Sequence, residues 1–484
     1  MNHLAGKLNR HRDLLGYVLF GLIGCFIMSG GENVVLFILS ITIYGFAAWI
    51  VLRHAGGFAL TPAILFFLFF TIFTYISGLE LFFTNGQDVS YGGGERNYVF
   101  YAAIHGGIFT FAVGLILATL CFEFSPREEL ARFRRTPWRD EYNRPGDYIA
   151  ITLIWAVALF MTLLFIINQG FIPLLQTLKA QSGERIYELA LAARAEFSRY
   201  GRSAGEYGFQ GYFQQFYLII LPFVTLFVAS RYLFYRRTFL LILWFVLGIL
   251  TAFFLAMSLQ RWPLMFFIVL NYVLYASYVG RIRISHTLAF ITLALSLFGF
   301  LTYVRGLEDF AMVVDWVQRR IFWVNVDVLY SLFEMFPEHF PFFGGQAILS
   351  DIKGILPGPD VGFARWLYDA LYQTYGNGTA STMVWGELYA DFGLAGVWIG
   401  SLLVGFIMQM FYIVFIRSEK DLFGLVIYAM LTMALGMLGI ANPVAVLFQY
   451  GIVTTLLLVV ALEVMRWIFE AQSLHQVAGR AVAG

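Results

Sequence analysis

The residues of this chain best suited to chemistry are few and unevenly placed. Segment 183–202, GERIYELALAARAEFSRYGR, carries Arg185, Arg194, Arg199 and Arg202. On a helical wheel at about 100° per residue these four lie opposite an arc of Ile186, Leu189, Ala190, Ala193, Phe197 and Tyr200. The pattern predicts an amphipathic helix resting on a membrane with its arginines exposed. Guanidinium forks grip phosphate oxygens in pairs and stay charged at physiological pH, so such a face suits an anion. Pairing with Glu184, Glu188 and Glu196, or with lipid headgroups, accounts for the same residues equally well.

Glu387 and Asp391 form a second set, four residues apart and so on one helix face, where a long loop gives way to an apolar run. Packing explains two acids there poorly, and either suits a general base. His339, in PEHFP, is the only histidine in either large loop segment and is another candidate, although an ordinary turn histidine is the plainer reading. His105, within an apolar run, reads first as a hydrogen-bonded core residue. Arg261, in the tight LQRWP turn, is held at the membrane surface, and Glu80 and Arg305 also fall near that interface.

Elements that hold such groups must be membrane helices. Of 484 residues, 60% are hydrophobic and 13% charged, against about 45–50% and 25% in ordinary soluble domains. Apolar runs near 14–30, 34–52, 59–77, 98–122, 148–168, 209–230, 239–258, 263–279, 287–304, 390–415, 422–441 and 445–466 predict an all-α polytopic protein of about twelve spans. The first run lacks a small-residue cleavage site and is expected to stay in the membrane. A net charge of +1 gives no basis for a nucleic-acid partner. Cys25 and Cys121 both fall in apolar runs, so neither a disulfide framework nor a cysteine metal site is expected.

Basic residues in short loops predict both termini on the cytoplasmic side, which then receives nineteen of the 31 lysines and arginines. Six of them lie in the loop 123–147, which is too short for a domain. The other twelve fall mostly in two long outer segments, about 169–208 and 305–389. Within the latter, 310–336 is apolar enough to mimic a span. Asp315, Arg319, Arg320 and Asp327 would each cost at least about 2.5 kcal/mol at the bilayer centre, so an interfacial or re-entrant helix is expected. Outer loops of this length are usually functional, and 305–389 reads as an active-site cap. No Walker loop, HExxH or DxD pair is present, which argues against nucleotide-driven chemistry. Asn377-Gly378-Thr379 matches a glycosylation sequon and is read as a turn.

Together, FFGGQAILSDIKGILPG and GTASTMVWGELYADFGLAGVWIG resemble signatures of the Wzy-type oligosaccharide repeat-unit polymerases of bacterial O-antigen and exopolysaccharide assembly. The second block is similar to that family's Gly-Glu-Leu-Tyr, acidic-or-Asn, Phe-Gly signature. The layout resembles the family over nearly the whole chain, and the motifs over about 340–400. The family commonly has Pro-Arg where this chain has Pro357-Gly358. Some members carry an arginine eleven residues before a glycine in each large loop, a spacing met here by Arg194 with Gly205 and Arg365 with Gly376.

The resemblance implies a GT-C-like membrane fold and metal-independent glycosyl transfer, without a cofactor, at the periplasmic face of the inner membrane. Its substrates would be polyprenyl-diphosphate-linked oligosaccharides, with membrane lipids and a chain-length regulator protein as partners. Arg194, Arg199, Arg261, Arg365, Arg319 and Arg320 would then bind diphosphate. Glu387, His339 or Asp391 would take the proton of the attacking hydroxyl, and Trp366, Tyr372 and Trp385 would stack on sugars. An aromatic belt at the interface explains the last three equally well. The alternatives are an O-antigen ligase, which transfers the glycan to lipid A core, and a transporter of a lipid-linked or amphipathic solute.

Overall fold

The computed structural model describes residues 34–56, 60–79, 97–179, 189–190, 192–193, 210–282, 284–304, 310–354, 362–372, 380 and 382–483. The protein is an all-α polytopic membrane protein, with no strand among the described residues. Ten described helices are long and apolar enough to cross a membrane.

The chain begins with α1 (Val34–His54), α2 (Pro62–Leu79), α3 (Asn97–Cys121) and a short surface helix α4 (Pro126–Arg135). It continues through α5 (Pro145–Gln169), α6 (Tyr212–Tyr235), α7 (Thr238–Ala256), α8 (Arg261–Val279) and α9 (Ile284–Val304). Then come α10 (Phe310–Gln318), a π turn (Arg319–Trp323), α11 (Val324–Met335), α12 (Gln346–Lys353) and α13 (Phe363–Tyr372). The last four are α14 (Val384–Arg417), α15 (Leu422–Gly436), α16 (Pro443–Phe448) and α17 (Ile452–Ala483).

Each expected span from 34–52 onward meets a helix, and 14–30 lies outside the described residues. Three spans are less regular than hydropathy implies. A π turn interrupts α2 at Thr71–Tyr75 and α6 at Phe216–Ile220, and Gly451, with φ +84°, separates α16 from α17. The stretch 310–336 is helix, π turn and helix; it is not among the helices apolar enough to span.

The helices sort by what their faces meet. α6 and α15 are mostly buried, whereas α5, α7 and α9 present large apolar side chains such as Phe160, Phe245 and Ile291 outward. Such faces suit lipid, where apolar residues all round cost nothing. At the centre, α3 and α14 touch backbone to backbone. A methyl group at Gly114 would lie 2.1 Å from the Leu402 carbonyl oxygen, and one at Gly405 2.2 Å from that of Phe111. Small residues permit this approach in membranes, where dispersion and not the hydrophobic effect draws helices together.

α14 positions the candidate site. Gly393 adopts φ 63° and ψ −154° inside it, so the chain is a short arm, 384–392, followed by a straight rod, 394–417. At 1.5 Å per residue the rod is about 36 Å long, enough for a hydrocarbon core of about 30 Å. The arm carrying Glu387 and Asp391 therefore sits at one end of the rod. At the other end, Arg417 pairs with Glu129 of α4 at 2.7 Å at the surface, and Arg231 of α6 pairs with Asp140 at 3.1 Å in a buried contact. The loop 123–147 is thus strapped to the helix ends.

Candidate functional site

Asp391 organises the loop beside it. Its two carboxylate oxygens accept from the Ala347 and Ile348 amides at 2.9 and 3.2 Å, capping α12. The Gly344 and Phe343 amides donate to the Asp391 and Ala390 carbonyls at 3.0 and 2.9 Å. Gly344 and Gly345, at φ 60° and 99°, make the turn that brings them there. The segments FFGGQ and GELYADFG are therefore one folded unit, the first wrapped on the arm formed by the second. Both oxygens of Asp391 are committed to this cap.

Glu387 is fully buried. Asp351, near the end of α12, and Asn442, which caps α16, adjoin its carboxyl group. The Asn442 amide donates to Asp351 at 2.7 Å, while its oxygen accepts from the Ala445 amide at 2.6 Å. Neither oxygen of Glu387 meets hydrogen-bond geometry with a donor among the described residues. A carboxylate buried in this way is costly, and with two further carboxyl groups close by the cluster is suited to hold and pass on a proton.

A second cluster lies at the far end of α16. Arg320, on the π turn, is in the field of Tyr372 and Tyr450. Tyr372 is pushed up to about 12, chiefly by burial and then by Asp327, which also hydrogen-bonds to it. Tyr450 packs edge-on against Trp262 at 4.9 Å. The side chain of Arg320 remains open to the surface. Arg319 points outward and pairs with Asp315 at 3.1 Å.

The remaining expected residues are dispersed. Arg261 is buried, with its guanidinium 3.6 Å from the Trp316 ring and 5.1 Å from that of Phe298. It joins the start of α8 to α9 and α10 through a cation–π sandwich, a different setting from the exposed diphosphate contact that the sequence suggests. Arg365 is half-buried on α13. Trp366, next to it, packs among Phe340, Phe343 and Phe363 at 5.1, 5.3 and 5.6 Å.

Trp385 corrects the sugar-stacking expectation. It has no exposed surface, lies edge-on to Phe70 at 4.9 Å, and would sit 2.8 Å from a methyl group at Gly107. Its faces are filled by helix packing. His339 is exposed in the turn after α11, its amide donating to the Met335 carbonyl at 2.9 Å. Arg194, Arg199, Arg305, Glu80 and the 377–379 turn lie outside the described residues. Of the amphipathic segment, Ala190 and Ala193 are buried as expected for the apolar arc, while Leu189 is exposed.

Sequence reasoning passed over Asp351, Asn442 and Tyr450, and met Asp327 only as a charge that keeps 310–336 from spanning. Asp351 stands inside the FFGGQAILSDIKG block, but nothing in its spacing from Glu387 marks the pair, since the two meet only when α12 folds against the arm. Asn442-Pro443 is a helix-start signal, and that signal does not say what the asparagine amide will touch. Comparison with protein-family models, curated proteins and solved structures finds no match for this chain.

Proposed function

We propose that this protein polymerises polyprenyl-diphosphate-linked oligosaccharide repeat units into O-antigen or exopolysaccharide at the periplasmic face of the bacterial inner membrane. One observation carries the reading: a buried acid cluster, Glu387 with Asp351 and Asn442, and a cationic one, Arg320 with Tyr372 and Tyr450, flank the two ends of α16. Transfer from a lipid diphosphate calls for both. A carboxylate takes the proton of the attacking sugar hydroxyl, and a guanidinium stabilises the negative charge that develops on the departing diphosphate. Six helical residues span about 9 Å, on the scale of a sugar diphosphate. Arg365, and Arg194 and Arg199 beyond the described residues, would extend the cationic side.

An O-antigen ligase uses the same chemistry and differs in its acceptor. A transporter would call for a helix broken near the bilayer midplane, whereas the break of α14 at Gly393 lies at the end of a rod long enough to span. Purified protein supplied with lipid-linked repeat units separates the three. Glycans of several units support the polymerase. Attachment of one glycan to lipid A core without lengthening supports the ligase, and movement of intact substrate across vesicles with no new bond supports the transporter.

A further inference from the structure

Glu387, Asp351 and Asn442 come from three elements, the arm of α14, α12 and the cap of α16, and between them they hold few hydrogens. The Asn442 oxygen accepts from the Ala445 amide at 2.6 Å, which fixes the orientation of the side chain and turns its NH2 group toward the acids. That group donates to Asp351 at 2.7 Å. Asp391, one turn along the arm, has both oxygens bonded to the Ala347 and Ile348 amides, and so adds a negative charge but no donor. The side chains that act most strongly on Glu387 are Asp351, Asp391 and Asn442, none of them a cation.

Two adjoining carboxyl groups in a buried site do not both ionise. Which of them holds a proton follows from their settings. Asp351 is half-buried and accepts from an amide, and both conditions favour a charge. Glu387 is fully buried, and neither of its oxygens meets a donor among the described residues. An ionised carboxyl there would be left without a hydrogen bond. A neutral one is itself a donor, and the adjoining Asp351 is an acceptor.

We infer that Glu387 and Asp351 share a single proton in the resting protein, held by Glu387 and donated to a charged Asp351, and that Asp351 is the final acceptor of the proton released in glycosyl transfer. The relay rests on the proposed glycosyl transfer, whereas the resting proton does not. During transfer the hydroxyl oxygen of the acceptor sugar bonds to the anomeric carbon as the bond to the diphosphate breaks, and the diphosphate leaves with the electron pair. The hydroxyl proton passes to Glu387 while the proton already there passes to Asp351. Asp351 then loses it to water, since it reaches the surface and Glu387 does not. Asp351 thus acts through Glu387 without touching substrate.

Infrared spectra of the purified full-length protein at about pH 7, in light and heavy water, test the resting proton without any substrate. An ordinary carboxyl is ionised at that pH, so the carbonyl band of a neutral carboxyl is diagnostic. The expected result is a band in wild type that is lost in Glu387→Gln and moved to higher frequency in Asp351→Asn, whose amide oxygen is a weaker acceptor than a carboxylate. A wild type without the band, a band that Glu387→Gln leaves intact, or one that Asp351→Asn leaves unmoved would overturn the inference. Lipid-linked repeat units then test the relay. With wild type elongating, Asp351→Asn is expected to slow elongation by about 10² to 10⁴, as for loss of a general base. Its melting temperature should stay near that of wild type, because asparagine still accepts from Asn442. Wild-type rates in Asp351→Asn would overturn the relay. No elongation by wild type, with the band present, would overturn the polymerase reading and the relay with it, and leave the shared proton in place.

Discussion

The Asn442 amide donates to the Asp351 carboxylate at 2.7 Å, and through this contact the start of α16 is tied to the end of α12 beside Glu387. The same asparagine caps α16 with its oxygen. One side chain thus fixes a short helix and the neighbour of the proposed base, so the three residues are expected to act as a unit. Asn442→Leu should lose the cap, at a cost of about 1 kcal/mol, and lower activity further than stability alone explains.

Glu387 and Asp391 should separate by mutation although they lie one helical turn apart. Glu387→Gln is expected to keep its fold and cut glycan elongation by about 10² to 10⁴, the range for loss of a general base. Asp391→Asn should retain chemistry but weaken the start of α12, because an amide replaces a carboxylate that accepts from Ala347 and Ile348. Elongation rate and melting temperature measured on both variants check this. Equal loss of rate in the two would show that they share one role.

The Arg261–Trp316 contact should be a matter of positioning. With the guanidinium 3.6 Å from the ring and the arginine buried, a cation–π interaction is worth about 2 kcal/mol. A double-mutant cycle with Arg261→Gln and Trp316→Leu should show coupling of that order. No coupling would mean that Arg261 is held by other contacts. Because α10 leads directly to Arg320, Trp316→Leu is also expected to weaken substrate binding without touching substrate.

Glycines should divide sharply by position. Gly114→Ala or Gly405→Ala drives a methyl group to within 2.1 or 2.2 Å of a facing carbonyl oxygen, and at least about 3 kcal/mol of overpacking is expected. Gly248 and Gly299 have nothing within 4 Å of that position. Alanine there should be neutral or stabilising by about 0.5–1 kcal/mol, as expected of a helix. Thermal unfolding of the four variants in one detergent compares them directly.

Acid should loosen the Arg417 end of α14. The hydrogen bond and charge of Arg417 hold the Glu129 carboxyl below its ordinary value of 4.5. A lowered carboxyl contributes stability at all pH values above its unfolded value and loses it as pH falls through the folded one. The latch is therefore complete at neutral pH and fails below about pH 4.5. Glu129→Gln should lower the melting temperature at pH 7 and flatten its decline in acid.

The spans were legible because each apolar run declares itself locally, and the run 34–52 became Val34–His54 with shifts of a residue or two. The break at Gly393 was not, since a glycine in GLAG reads the same in an unbroken membrane helix; the φ of 63° occurs where the Phe342 ring would lie 3.1 Å from a methyl group. At the site, Glu387 stood out as an acid in an apolar context. Asp351 did not, because polar residues are ordinary in a loop and its partnership depends on tertiary folding. Trp385 misled for the opposite reason. An aromatic residue beside an interface looks like a stacking platform, yet Phe70 and Gly107 occupy its faces.

The central claim is tested most directly by a density map of the protein with a bound polyprenyl-diphosphate oligosaccharide. The account predicts the diphosphate within hydrogen-bond reach of Arg320, near Tyr372, with the sugar side directed along α16 toward Glu387. Diphosphate bound instead among the arginines of 127–139, or an occupied site that leaves both Arg320 and Glu387 without contact, would contradict it.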